Sequence, residues 1–110
     1  LEAGALRRQA ARRDEIPFDA QHRFMATLHE DEDGGFIVVK GAPERVVEMC
    51  SRQREGAAEA PLEPERWRRA AEQLAGQGLR VLGFAVKPAG RHQRSLDFAD
   101  VERDAILLGF

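Results

Sequence analysis

The stretch Arg23-Phe24-Met25-Ala26-Thr27-Leu28-His29 leads through Glu30-Asp31-Glu32-Asp33-Gly34-Gly35 into Phe36-Ile37-Val38-Val39-Lys40, and closes on Gly41-Ala42-Pro43-Glu44. Two alternating runs flank a polar, glycine-containing turn, the pattern of a β-hairpin. Successive side chains of a strand face opposite ways, so Phe24, Ala26 and Leu28 share one face and Arg23, Met25, Thr27 and His29 the other. The second run sends Ile37 and Val39 one way and Phe36, Val38 and Lys40 the other. If the turn centres between Glu32 and Asp33, Met25 lies opposite Lys40; if it centres on Asp33-Gly34, Thr27 takes that place. Either register keeps Met25 and Lys40 on one face, because a shift of two preserves parity. Phe24, Ala26, Leu28, Ile37 and Val39 are then core, and the mixed face is available to a ligand.

Downstream, Gly41 and Pro43 end the strand and open a helix: proline is tolerated at the first helical position, and Glu44 suits the positive end of the helix dipole. Val46, Val47 and Cys50 supply its buried stripe. After a Gly/Ala/Pro loop, Trp67, Ala70, Ala71 and Leu74 recur at helical spacing in a second helix ending at Gly76 or Gly78. Leu79 to Lys87 reads as a strand, Pro88 to about Asp104 as a loose loop, and Ala105 to Phe110 as a last buried strand. Upstream, Ala3, Leu6 and Ala10 predict the end of an amphipathic helix over residues 3 to 13, and Ile16-Pro17-Phe18 an extended segment suited to a sheet edge. The fold class is α+β, a mainly antiparallel sheet covered by helices.

With 110 residues there is room for one domain, 1–110, able to bury a core without metal or disulfide. At 43% hydrophobic and 33% charged, with no apolar run longer than four residues, the chain is neither disordered nor a membrane span. The single cysteine, Cys50, excludes an internal disulfide and fits a reducing compartment. The start at Leu1 and the close on Ile106-Leu107-Leu108-Gly109-Phe110 suggest a domain cut at both ends from a longer protein. Seventeen basic and nineteen acidic residues leave a net charge of −2, and the arginine pairs have acidic neighbours, so no nucleic-acid partner is expected. Lys40 and Lys87 are the only lysines among many arginines, so each calls for a reason. Heavy arginine and alanine usage points to a bacterial source.

Self-contained catalytic chemistry is not expected. No stretch satisfies G-x-x-x-x-G-K-[ST], and Gly76-Gln77-Gly78 reads as a helix stop. His22, His29 and His92 lack metal-ligand spacing with one another or with Cys50, and the acidic turn lacks the spaced ligands of a calcium loop, so no metal is assigned. Cys50, on an apolar stripe, reads as an inert thiol.

Lys40-Gly41-Ala42-Pro43-Glu44, directly after the strand, resembles the signature of the nucleotide-binding domain of P-type cation-transporting ATPases. Ile16-Pro17-Phe18-Asp19 with Arg23-Phe24-Met25 is similar to that family's Pro-Phe and Arg/Lys-x-Met segment. Gly78-Leu79-Arg80-Val81-Leu82-Gly83-Phe84-Ala85 resembles its Gly-Leu-Arg strand, and Leu107-Leu108-Gly109-Phe110 its Leu-Leu-Gly run. The four segments occur in the family's order and cover nearly the whole chain.

The resemblance implies that the chain binds ATP, as Mg-ATP in the full pump. Phe18 would stack on adenine, Lys40 would lie at the bottom of the same pocket, and Arg80 would reach the phosphates. Arg23, Met25, Gly41 and Ala42 complete the implied nucleotide-binding set. The residues suit those roles: a flat aromatic face and a cation fit a purine, methionine makes an adaptable wall, glycine admits close approach, and arginine's fork matches phosphate oxygens. Singly, each also fits a structural role, as core, filler, surface ion pair or edge lysine. Two departures stand out: Ala20 occupies a place where calcium-pump relatives often carry arginine or a similar polar group, and the acidic residue expected upstream near the adenine amino group is not assigned, its place falling before Leu1. In the family's reaction the γ-phosphate passes to an aspartate in an Asp-Lys-Thr-Gly motif, which this sequence lacks. The resemblance therefore implies a cytoplasmic, ATP- and ADP-binding piece of an integral membrane pump, working with phosphorylation, actuator and membrane domains of its own polypeptide. It would have no turnover and no membrane insertion of its own. The alternative is an interaction or regulatory module of the same fold without nucleotide binding.

Overall fold

The computed structural model describes residues 11–31, 34–78, 80–90, 93 and 95–110, with the side chains of 11–13 and 31 excepted. In chain order the elements are β1 (Ala11–Ile16), β2 (Phe24–Asp31), β3 (Gly34–Gly41), α1 (Pro43–Glu48), β4 (Cys50–Glu55), β5 (Ala58–Pro61), α2 (Pro64–Gly76), β6 (Gly83–Ala89), a 3-10 turn (Phe98–Asp100) and β7 (Ala105–Gly109). The strands form one sheet in the order β1-β2-β3-β6-β7-β4-β5. Every neighbouring pair is antiparallel except β4 with β7.

The β2–β3 hairpin takes the first of the two registers, with Met25 opposite Lys40 and Leu28 opposite Ile37. Phe24, Ala26, Leu28, Ile37 and Val39 are all buried, joined by Ile16, Val46, Val47, Met49, Ala85, Leu96, Val101, Ala105 and Leu107. Burial of this apolar set, at about 25 cal/mol per Å², is what fixes the register: a slip of one residue would expose all of it.

The sheet's core face is covered by α1, through Val46 and Val47, and by the segment that holds Leu96 and Val101. One glycine lets α1 come down onto the sheet, and another lets the end of β3 lie close against the start of β2. A Cβ on Gly83 would stand 3.2 Å from Val46 Cβ and 3.3 Å from Pro43 Cα. On Gly41 it would stand 2.5 Å from the Arg23 carbonyl oxygen and 2.6 Å from Phe24 Cα, closer than a real side chain allows. The expectation of a helix-covered sheet is met only in part. No α2 residue is buried; its stripe of Trp67, Ala70, Ala71 and Leu74 is half-buried, and the helix packs on α1.

Four boundaries differ from the sequence reading. Residues 11–13 belong to β1, where pairing with β2 overrides helical spacing; residues 3–10 of the expected helix lie outside the described residues. Cys50 opens β4 rather than closing α1. The supposed Gly/Ala/Pro loop contains the β4–β5 hairpin, hidden because Gln53 is the one fully buried residue of β4 and nothing in β5 is fully buried. Finally β6 begins at Gly83, so Arg80 precedes the strand and Leu79 lies outside the described residues.

Candidate functional site

β2 begins, β3 ends and β6 begins at one end of the sheet, because Phe24 pairs with Gly41 and Gly41 with Gly83. There Met25, Lys40 and Phe84 are consecutive partners across three strands. In-register neighbours on one face bring their Cβ atoms to about 5 Å, so a thioether, an ammonium stem and a phenyl ring form one row on the face opposite the core. Met25 and Lys40 are half-buried and Phe84 is 38% exposed. Lys40 makes no hydrogen bond or ion pair among the described residues. Lys87, in contrast, donates through Nζ to the carbonyl oxygens of Asp100 and Arg103, both at 2.9 Å.

The rest of that face is less open than its alternation suggests. Thr27 and His29 are buried, sharing a 2.7 Å hydrogen bond, and the His29 ring stacks on Phe36 at 5.1 Å. Phe36, Val38 and Val86 on the same face are half-buried and Pro88 is exposed; the Met25–Lys40–Phe84 end is the part of it where a cation stands between apolar side chains.

Phe18 lies on the β1–β2 connection, which delivers the chain to the same end, and is 58% exposed. Arg23 does not share the Met25 face. It has left-handed backbone (φ 63°) outside β2, and its guanidinium donates to Glu44 Oε1 at 2.7 Å. That exposed pair is worth little in stability, but it occupies the arginine. The close approach Gly41 permits is to the β2 backbone. Ala42 is the N-cap residue of α1: its N–H donates to the Arg23 carbonyl at 3.0 Å, and its carbonyl accepts the N–H groups of Arg45 and Val46. Arg80 is exposed, three residues before Gly83, which places it near the same end, and it makes no hydrogen bond or ion pair among the described residues. The structure thus puts Met25 and Lys40 side by side and Phe18 and Arg80 at the same end, and gives Arg23, Gly41 and Ala42 structural contacts.

Sequence reading did not single out Phe84. Its signal was the parity of β6 once Gly83 is set opposite Gly41. Two clefts lie elsewhere and include neither Phe18, Met25 nor Lys40. One, of about 230 Å³, is framed by α1 and α2 and lined by Val47, Cys50, Leu62 and Trp67 among others. The other, of about 200 Å³, is lined by His22, Phe24, Arg45, Met49, Phe98, Val101 and Glu102. Cys50 donates its S–H to the Val46 carbonyl at 3.2 Å, and burial pushes its pKa up to about 12, so the thiol stays protonated and unreactive at neutral pH. Among the described residues there is no group of three or more potential metal ligands, and no helix long and apolar enough to cross a membrane.

Residues 2–110 match the family model described as P-type ATPase, cytoplasmic domain N. The chain is 38% identical over 102 residues to the cation-transporting ATPase pma1 of Synechocystis sp., covering 92% of this chain and 11% of that protein. It is 35% identical over 109 residues to the sodium/potassium-transporting ATPase subunit alpha-2 of Homo sapiens, covering 89% and 11%. To subunit alpha-A of the same pump type from Artemia franciscana it is 44% identical over 75 residues, covering 64% and 8%. The chain therefore spans about a tenth of the length of these curated relatives. They range from Synechocystis to Homo sapiens, so they lend no weight to a bacterial source over another. On the match of nearly its whole length, this chain belongs to the family of P-type ATPase cytoplasmic N domains.

Proposed function

We propose that this chain is the ATP-binding domain of a P-type cation-transporting pump. It would hold the adenine of Mg-ATP so that the γ-phosphate can reach the catalytic aspartate of a separate phosphorylation domain, and so drive cation transport. In this reading Phe18 offers the base a stacking face, Met25 and Phe84 form apolar walls, Lys40 supplies the buried end of the site, and Arg80 reaches toward the phosphates. Arg23, Gly41 and Ala42 shape the rim through β2 and the start of α1. The domain is the cytoplasmic part of an integral membrane protein, with phosphorylation, actuator and membrane domains as partners in the same polypeptide. Turnover needs their aspartate.

The observation that supports this best is Lys40. Half-buried Lys40 stands between a thioether and a phenyl ring with no partner among the described residues, so no structural contact accounts for a lysine there. A ligand with a π-face and lone pairs would supply the missing partner. Affinity is expected to be modest. Adenine's ten or so heavy atoms, at roughly 0.3–0.4 kcal/mol each, give about 3–4 kcal/mol, a dissociation constant near millimolar if the phosphates stay hydrated. That suits a domain that must also release ADP.

An amide-shift NMR titration with ATP and with GTP tests the reading. ATP is expected to move the resonances of Phe18, Met25, Lys40, Gly41 and Phe84, with GTP weaker. Phe18→Ala and Lys40→Ala should each remove the response while leaving the dispersion of the β2–β3 amides intact. No shift at several millimolar ATP would sink the reading in favour of an interaction module of the same fold.

A further inference from the structure

The connection from Pro17 to Arg23, which carries Phe18, lies outside the sheet and is exposed except for half-buried His22. A stacking ring on such a segment is useful only if the segment is already held in place, because ordering it at the moment of binding is subtracted from the affinity. The hold is visible at Asp19, the neighbour of Phe18. Its carboxylate accepts the His22 N–H at 2.7 Å and lies 2.7 Å from His22 Nδ1, while its carbonyl accepts the Arg23 N–H at 2.9 Å. This closes a turn with His22 at its inner end. The imidazole of His22 lies on the ring of Phe98, centroids 4.5 Å apart and planes tilted by 33°. Phe24 meets the two rings edge-on at 6.3 and 6.0 Å, and Arg45 Nε donates to the His22 carbonyl at 3.2 Å.

Phe98 is itself fixed from behind. The 3-10 turn that begins with it is closed by reciprocal bonds between Asp97 and Asp100, and Lys87 holds the carbonyl oxygens of Asp100 and Arg103. Yet Phe98 is 43% exposed, so burial in the core is not what keeps a phenylalanine in this place.

We propose that Phe98 is a positioning residue for Phe18: by stacking on His22 it holds the Asp19–His22 turn and so presents the Phe18 ring to the adenine base. This rests on the nucleotide reading above. Phe98 acts through His22 and Asp19 and touches no nucleotide. Its loss therefore lowers the population of the receptive loop and weakens ATP and AMP by one common factor, whereas loss of a phosphate contact would weaken ATP more.

The test is NMR titration of the 110-residue chain with ATP and with AMP, for the unaltered protein, Phe98→Ala, Phe98→Tyr and His22→Ala, with backbone relaxation of residues 18–22 measured without nucleotide. Phe98→Ala is expected to raise both dissociation constants by the same roughly 3- to 10-fold, the range of one aromatic pair, and to loosen the 18–22 amides while the β2–β3 amides keep their shifts. His22→Ala should do the same, and Phe98→Tyr should restore both affinity and order. Binding by Phe98→Ala as tight as the unaltered chain's, a loss confined to ATP, or no recovery in Phe98→Tyr would overturn the proposal while leaving the nucleotide reading standing. No response to either nucleotide in the unaltered chain overturns both, and loosened 18–22 amides in Phe98→Ala would then mark Phe98 as purely structural.

Discussion

At the corner between β4 and α2, Gln53 is fully buried and every polar atom of its side chain is engaged. Its Oε1 accepts the Glu63 N–H at 2.9 Å and the Trp67 indole N–H at 2.8 Å, and its Nε2 donates to Glu55 and Glu63, which Arg66 in turn bridges. At the β2–β3–β6 end, Lys40 is half-buried and has no partner among the described residues. A buried polar group closed on itself holds two elements together; a half-buried one left open has capacity for something else. The contrast separates residues that make the fold from those that use it.

Breaking the closed side should have the largest effect. Gln53→Leu leaves the Trp67 and Glu63 N–H groups without acceptors and is expected to cost about 2–4 kcal/mol. Urea denaturation followed by the emission of Trp67 measures it, and the ATP response at Lys40 should persist in the folded protein. A cost below about 1 kcal/mol would mean that the corner is not closed as described.

The lysines sharpen the comparison at intermediate size. Lys87→Met removes two charge-assisted bonds to carbonyls and should destabilise by about 2 kcal/mol. Lys40→Met, with no such bonds to lose, should stay within about 0.5 kcal/mol of the unaltered chain. Equal losses in the two would remove the ground for assigning Lys40 to a ligand.

The smallest effect lies in acid. His22, through its backbone N–H and then its side chain, holds the Asp19 carboxyl below the usual 3.8; the amide of Gln53, and next Arg66, hold Glu55 below 4.5. A depressed carboxyl adds stability that is present above its unfolded value and lost as pH falls through its folded one. Both regions should therefore loosen only in strong acid. In Gln53→Leu the Glu55 titration should move up toward 4.5 while Asp19 stays where it was, and carbon-detected NMR of the two carboxyls would record a common shift if the regions were coupled.

Most of the site-bearing half of the sheet was legible. Alternation in Phe24 to Leu28 and Ile37 to Val39 gave the hairpin, and parity joined Met25 to Lys40 before any register was known. The other half was not. Residues 50 to 55 read Cys-Ser-Arg-Gln-Arg-Glu, and an edge hairpin with one buried glutamine leaves no hydrophobic period to read. Arg23 was placed on the wrong face because a single left-handed residue breaks strand parity, and arginine gives no sign of it. The pairing of His22 with Phe98 joins distant parts of the chain through a 3-10 turn, and no local pattern carries that.

The strand order also sets a timetable. Of the seven strands among the described residues β7 is the last to leave the ribosome, yet it sits between β6 and β4. β1, β2, β3 and β6 can pair while synthesis continues, but the β4–β5 hairpin has no sheet to join until Ala105–Gly109 arrives. During that interval the open flanks of β6 and β4 are exposed to neighbouring nascent chains, so the interval in which this domain is most prone to aggregation lies at the close of its translation.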